Sequence, residues 1–214
     1  MRHIRRLNEP AVITRLGNGW LQAFLASGNK RPNSNTYSHT EVRELLNSMS
    51  HTKCYYCETI LKDKSSEVDH FIEIFIDKNL AFIWNNLYLA CDNCNGKVPH
   101  DSIPVTDCLD PCVDTDDVIA THLAFNDNII VAKNDSQKGN LTITKYMLGS
   151  KHLDYLRGME LIKFYKLLTT IQDEMINDGR AILPEELEHL KSFTNSSKPY
   201  SLMFREILRS NGFT

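Results

Sequence analysis

The stretch CYYCETILKDKSSEVDHFIEIFIDKNLAFIWNNLYLACDNCNGK, residues 54–97, decides the fold. It opens with Cys54-x2-Cys57 and closes with Cys91-x2-Cys94, two identical knuckles with 33 residues between them. A two-residue gap lets both thiolates of a knuckle reach one ion. Four thiolates fill the tetrahedral sphere of zinc and leave no position open for catalysis. Cys54, Cys57, Cys91 and Cys94 are therefore expected to hold one structural Zn²⁺. Six cysteines in 214 residues are too sparse for a disulfide scaffold. Cys108 and Cys112, in an Asp- and Pro-containing loop, read as ordinary thiols.

Between the knuckles lie Val68-Asp69-His70 and Asn85-Asn86-Leu87, and the second knuckle runs on as Cys94-Asn95-Gly96-Lys97. The apolar runs around them are long enough only for short strands. Carboxylate and amide oxygens suit Mg²⁺ or Mn²⁺, and a neutral histidine, with a pKa near about 6.5, can take a proton from water. These are the parts of metal-assisted phosphodiester hydrolysis.

In this order the residues resemble the HNH nuclease motif over residues 54–97. The resemblance implies an α+β protein: a zinc-stabilised ββα-metal HNH core flanked by α-helices and a β-hairpin. It implies His70 as general base, Asp69 and Asn95 as ligands of a catalytic Mg²⁺ or Mn²⁺, and Asn86 as the asparagine that braces the ββ loop and orients the histidine. Two departures stand out. Ile72-Glu73-Ile74 occupies positions where many members carry proline or lysine, and the usual glycines before Asn86 are absent. Lys97 reads equally as a phosphate contact or a solvated charge, Glu73 as an exposed acid rather than an extra ligand, and His51 and His100 as non-ligands.

The outer segments are similar to a narrower branch, the HNH subunit PtuB of Septu and retron-associated anti-phage systems. The features that carry this are Asn8-Glu9-Pro10, the Asp110-Pro111 loop, the hairpin at Phe125 and the helical tail. The branch implies a bacterial, cytoplasmic endonuclease working beside an ABC/SMC-like, PtuA-like ATPase, in some systems with a retron reverse transcriptase and its msDNA. DNA and RNA both remain open as substrates, because such a centre touches phosphate and sugar rather than base edges. The rival from another class is a zinc-ribbon adaptor in which Asp69-His70 is idle.

Composition is consistent with a globular chain: 42% of residues are hydrophobic and 24% charged, and no run approaches the roughly 18 apolar residues of a membrane span. Asn8, Glu9 and Pro10 follow the basic start where the apolar run of a signal peptide would begin, so secretion is not expected. Charge divides unevenly. Residues 1–53 carry eight Lys and Arg against three Asp and Glu (+5), residues 54–118 four against 13 (−9), and residues 119–214 twelve against 11 (+1). An acidic catalytic segment grips a polyanion poorly. Arg2, Arg5, Arg6, Lys30 and Arg31 are therefore expected either to hold substrate or to dock a partner.

Those three segments are also the expected units: an N-terminal helical segment (1–53), the nuclease core (54–118), and a β-hairpin plus helical region (119–214). The periodicity predicts a helix over 11–25, a loop over 29–37, and a helix capped by Ser38 with Glu41. Leu123–Phe125 and Ile129–Val131 predict a hairpin. Lys138-Gly139-Asn140 predicts a turn before an alternating strand-like Leu141-Thr142-Ile143-Thr144. Helices are expected from Leu153 to Asn177, from Pro184, and from Tyr200 to Leu208.

Overall fold

The computed structural model describes residues 1–61 and 66–212. In chain order the elements are α1 (Ala11–Ala26), α2 (Ser34–Tyr37), α3 (Thr40–Ser50), β1 (Ser66–His70), β2 (Leu87–Cys91), α4 (Asp92–Asn95) and α5 (Asp116–His122). They continue with β3 (Leu123–Asn126), β4 (Ile129–Ala132), α6 (Gln137–Lys145), α7 (Lys151–Asp178), α8 (Pro184–Ser192) and α9 (Ser201–Ser210). This is the expected α+β mixture of helices and two small antiparallel sheets, β1–β2 and β3–β4. Among the described residues no helix is long and apolar enough to cross a membrane.

The main core draws on all parts of the chain. Val12, Leu46, Tyr55, Tyr88, Leu89, Leu123, Tyr146, Leu153 and Leu202 are all buried in it. A second cluster, built on Phe164, Leu190 and Phe204, joins α7, α8 and α9. A third and smaller one joins Phe24 of α1 to Ile74, Ala81 and Phe82 of the β1–β2 connection. That small cluster anchors the loop beside the site, with Phe24 and Trp20 both packed on the Phe82 ring.

Several ends follow sequence chemistry. Gly179 stops α7 in the left-handed region at φ 61°, a conformation cheap for glycine. Pro184 opens α8, and the Glu186 carboxylate accepts the Leu183 N–H at 2.8 Å. The hairpin turns at Asp127-Asn128, as β3 and β4 pair Asn126 with Ile129.

Three local expectations are corrected. Ser38 does not cap α3: residues 34–37 form the one-turn helix α2, Ser38 ends it, and His39 caps α3 by accepting the Glu41 N–H. Glu41 is drawn instead to the Val12 N–H, 3.2 Å away. Residues 137–145 are helix α6, capped by Ser136, rather than a turn and a strand. There Gly139 allows close packing, because a Cβ would collide with the carbonyl of His122.

The basic N-terminal segment is largely spent within the molecule. Arg2 pairs with Asp116 at 2.6 Å and donates to the Thr194 carbonyl at 2.7 Å. Arg6 lies over the rings of Tyr88 and Trp84, 4.4 and 5.2 Å from their centroids. Of the three arginines, Arg2 and Arg6 are thus engaged within the molecule and Arg5 alone is exposed.

Candidate active site

The β1–β2 pair places Asp69 opposite Tyr88 and His70 opposite Leu87, at the end where the strands part. A cleft of about 620 Å³ opens there, lined by His70, Asp69, Asn95, Lys97, Tyr37 and Arg31 among others. Lys30 and Arg43 also line it. The +5 segment thus folds over the acidic one and brings cations to the rim that residues 54–118 lack.

His70 is fixed by the loop rather than by its own strand. Its Nε2 stands 2.9 Å from the Ala81 carbonyl oxygen. A carbonyl can only accept, so Nε2 carries the hydrogen and Nδ1 is left as the ring's acceptor. Burial holds the imidazole pKa below its ordinary value; the Ala81 bond and Asp69 push it up, and Lys97 pushes it down. The ring is therefore neutral at neutral pH. Tyr37 covers it with ring centroids 4.6 Å apart.

Asn86 holds the loop that holds His70. It is 5% exposed. Its Oδ1 accepts the Ile72 N–H at 2.7 Å, and its Nδ2 donates to the carbonyls of Ile72 at 3.0 Å and Leu80 at 3.2 Å. Both ends of the segment from Ile72 to Leu80 are thereby tied to one amide, next to Ala81.

Asp69 is buried and fully engaged. Lys97 Nζ binds both its carboxylate oxygens, at 2.9 and 2.7 Å, and Tyr56 donates to Oδ2 at 2.7 Å. The same ammonium reaches the carbonyls of His70 at 2.6 Å and Phe71 at 3.1 Å. Lys97 lines the cleft but is not a solvated charge: its ammonium is spent on Asp69 and the two carbonyls. Behind Asp69, Tyr56 is stacked between Tyr146 and Tyr88, and Phe71 stacks on Tyr88. Asn95, at the end of α4, donates to Glu67.

The four knuckle thiols converge, all within 4.8 Å of one another. Cys57 Sγ and Cys91 Sγ are 3.7 Å apart, against an edge of about 3.8 Å for a tetrahedron with 2.3 Å Zn–S bonds. Burial pushes the Cys54 and Cys94 thiols well up, an opposition that a bound dication overcomes. The set fits a structural Zn²⁺. Glu58 closes the first knuckle in the left-handed region, its N–H bonded to the Cys54 carbonyl. Cys108 and Cys112 stand outside this cluster as free thiols.

Glu73 is not an exposed acid: Lys145, itself fully buried, binds it at 2.8 Å, and His100 Nδ1 lies 3.7 Å from its other oxygen. His51 contacts Ser196. Sequence reasoning missed Tyr37, Tyr56 and the Ala81 carbonyl. Tyr56 sits between two metal-ligand cysteines, a position that signals proximity; the other two contacts come from residues distant in sequence and carry no local pattern.

No protein-family model matches the chain. Among curated proteins, it is 35% identical over 120 residues to Septu protein PtuB of Bacillus thuringiensis, covering 54% of this chain and 44% of that protein. It is 28% identical over 207 residues to Septu protein PtuB of Bacillus mycoides (strain KBAB4), covering 78% of this chain and 68% of that protein. The first match therefore spans less than half of its relative's length.

Proposed function

We propose that this PtuB-like chain is an HNH-type endonuclease, the effector subunit of a bacterial anti-phage defence complex, with His70 as its general base. The observation that carries the reading is the Nε2 bond from His70 to the Ala81 carbonyl. It leaves a neutral imidazole with Nδ1 as acceptor in a cleft rimmed by Lys30, Arg31 and Arg43. Nδ1 takes a proton from water as the water attacks phosphorus, and the 3′ oxygen leaves. The rim cations hold the flanking phosphates. Asn86 is a positioning residue, keeping the loop and hence the Ala81 carbonyl against His70. The thiolate site is structural, since four sulfurs leave a zinc ion no open position.

A catalytic Mg²⁺ or Mn²⁺ on Asp69 and Asn95 does not fit the side chains as they stand. Asp69 accepts from Lys97 and Tyr56, and Asn95 is turned to Glu67.

The partner in this reading is a PtuA-like, ABC/SMC-like ATPase, with a retron reverse transcriptase and its msDNA in the wider assembly. The Septu names of both relatives support a place in such a defence system, and the ATPase and retron components are what the resemblance of the outer segments implies. A cleavage assay on plasmid DNA and on folded RNA, with the chain alone and with a co-expressed ATPase, separates nuclease from zinc-ribbon adaptor. An adaptor cleaves neither polymer in either setting.

A further inference from the structure

Asp69 already has a cation, and it belongs to the chain. Lys97 Nζ is surrounded by both Asp69 oxygens and the carbonyls of His70 and Phe71, all between 2.6 and 3.1 Å. Its side chain is 4% exposed and that of Asp69 7%. Carboxylate and carbonyl oxygens grouped around one positive charge are also the donors that a hard divalent cation selects. The cation's coordination distance, about 2.0–2.1 Å for Mg²⁺, would set it against the ammonium. Because the ammonium already contacts both oxygens, the two positive charges would repel strongly at that range.

We propose that Lys97 is an internal competitor for the divalent cation: its ammonium and a metal ion are mutually exclusive occupants of Asp69. With Lys97 seated, the chain offers Asp69 to no metal. The backbone on either side of Lys97 is fixed. The Gly96 N–H bonds the Asp92 carbonyl at 3.1 Å, and the Val98 N–H bonds the Lys145 carbonyl at 2.9 Å. Vacating Asp69 therefore requires rotation of one side chain and no movement of the zinc knuckle. Because the same ammonium holds the carbonyl of His70, metal entry and the seating of the base are linked. Lys97 thus sets the metal affinity of the site. The inference rests on the reading of this cleft as the catalytic centre, but it is tested by metal binding rather than by cleavage.

The experiment is a Mn²⁺ titration of the full-length, zinc-loaded chain, with free Mn²⁺ followed by electron paramagnetic resonance. Wild type and Asp69→Asn should bind alike. Lys97→Met should gain about one Asp69-dependent Mn²⁺ site per chain, read as a loss of free Mn²⁺ signal that wild type does not show. Asp69→Asn in the Lys97→Met background should cancel that gain. Asp69-dependent binding in wild type, or no gain in Lys97→Met, overturns the proposal. Lys97→Met leaves a buried carboxylate short of a partner; if it does not fold, Lys97→Gln replaces it, and the comparison of wild type with Asp69→Asn still decides. This binding pattern supports competition even in a chain that cleaves nothing, so the failure of one reading is distinguishable from the failure of the other.

Discussion

The Nε2 of His70 and the carbonyl oxygen of Ala81 meet at 2.9 Å across eleven residues of chain. The orientation of the proposed base is therefore a property of the β1–β2 connection, which in turn is held by Asn86 and by the packing of Phe82 against α1.

Asn86→Ala removes three part-buried hydrogen bonds and leaves the Ile72 and Leu80 backbone groups without that partner. Each buried polar group left unsatisfied costs about 1–3 kcal/mol. The variant should unfold at lower urea than wild type. The imidazole resonance of His70 should also broaden or shift by NMR, as its loop loosens. Unchanged stability with an unchanged His70 signal would remove Asn86 from the positioning role.

Elemental analysis should find about one zinc per chain, the content of one four-thiolate site. Cys54→Ser and Cys91→Ser should lose the metal together with soluble, folded protein, since a structural zinc site contributes its binding energy to folding. Cys108→Ser should keep the zinc, because that thiol lies outside the cluster. A zinc-free wild type with a cooperative unfolding transition would contradict the site.

Asp116 gathers Arg2, Arg205 and the His3 N–H. Burial pushes its pKa up, but these donors outweigh it and hold the carboxyl below its ordinary value. A depressed carboxyl stabilises the fold above its unfolded pKa, and that contribution is lost as pH falls through the folded value. The stability difference between wild type and Asp116→Asn should therefore be full at neutral pH and shrink below about pH 4, the ordinary aspartate range. A difference that does not change with acidification would show that the carboxylate charge is not the source.

Gly139→Ala places a methyl group against the His122 carbonyl, which is rigid backbone. Overpacking of this kind costs about 1–3 kcal/mol, so thermal unfolding should shift down without loss of zinc. Equal stability would mean that α6 can move away from α5 freely.

Much of this was legible in the residues, and what was not has a physical cause. The two Cys-x2-Cys spacings announce the converging thiols because the chemistry is local. The hairpin, the stop at Gly179 and the start at Pro184 follow from turn and cap residues. Residues 137–145 misled because Leu141-Thr142-Ile143-Thr144 alternates in polarity, while Ser136 supplies a helix cap that pattern reading passed over. Lys97 misled for a different reason. Such a lysine reads as a phosphate contact or a solvated charge, and only the tertiary fold shows Asp69 and the carbonyls of His70 and Phe71 converging on it. Of the basic residues expected to hold substrate or dock a partner, Lys30 and Arg31 line the cleft, joined by Arg43, which carried no such signal in the sequence.

The most direct test of the account is the rate of phosphodiester cleavage by wild type and His70→Ala, each full-length and zinc-loaded, alone and with the co-expressed ATPase, on plasmid DNA and on folded RNA. Removing a general base costs about 10²–10⁴-fold in rate. Wild type should cleave at least one polymer, and His70→Ala should fall by that factor with zinc content and circular dichroism unchanged. Cleavage by His70→Ala at the wild-type rate, or no cleavage by wild type in either setting, would contradict the account.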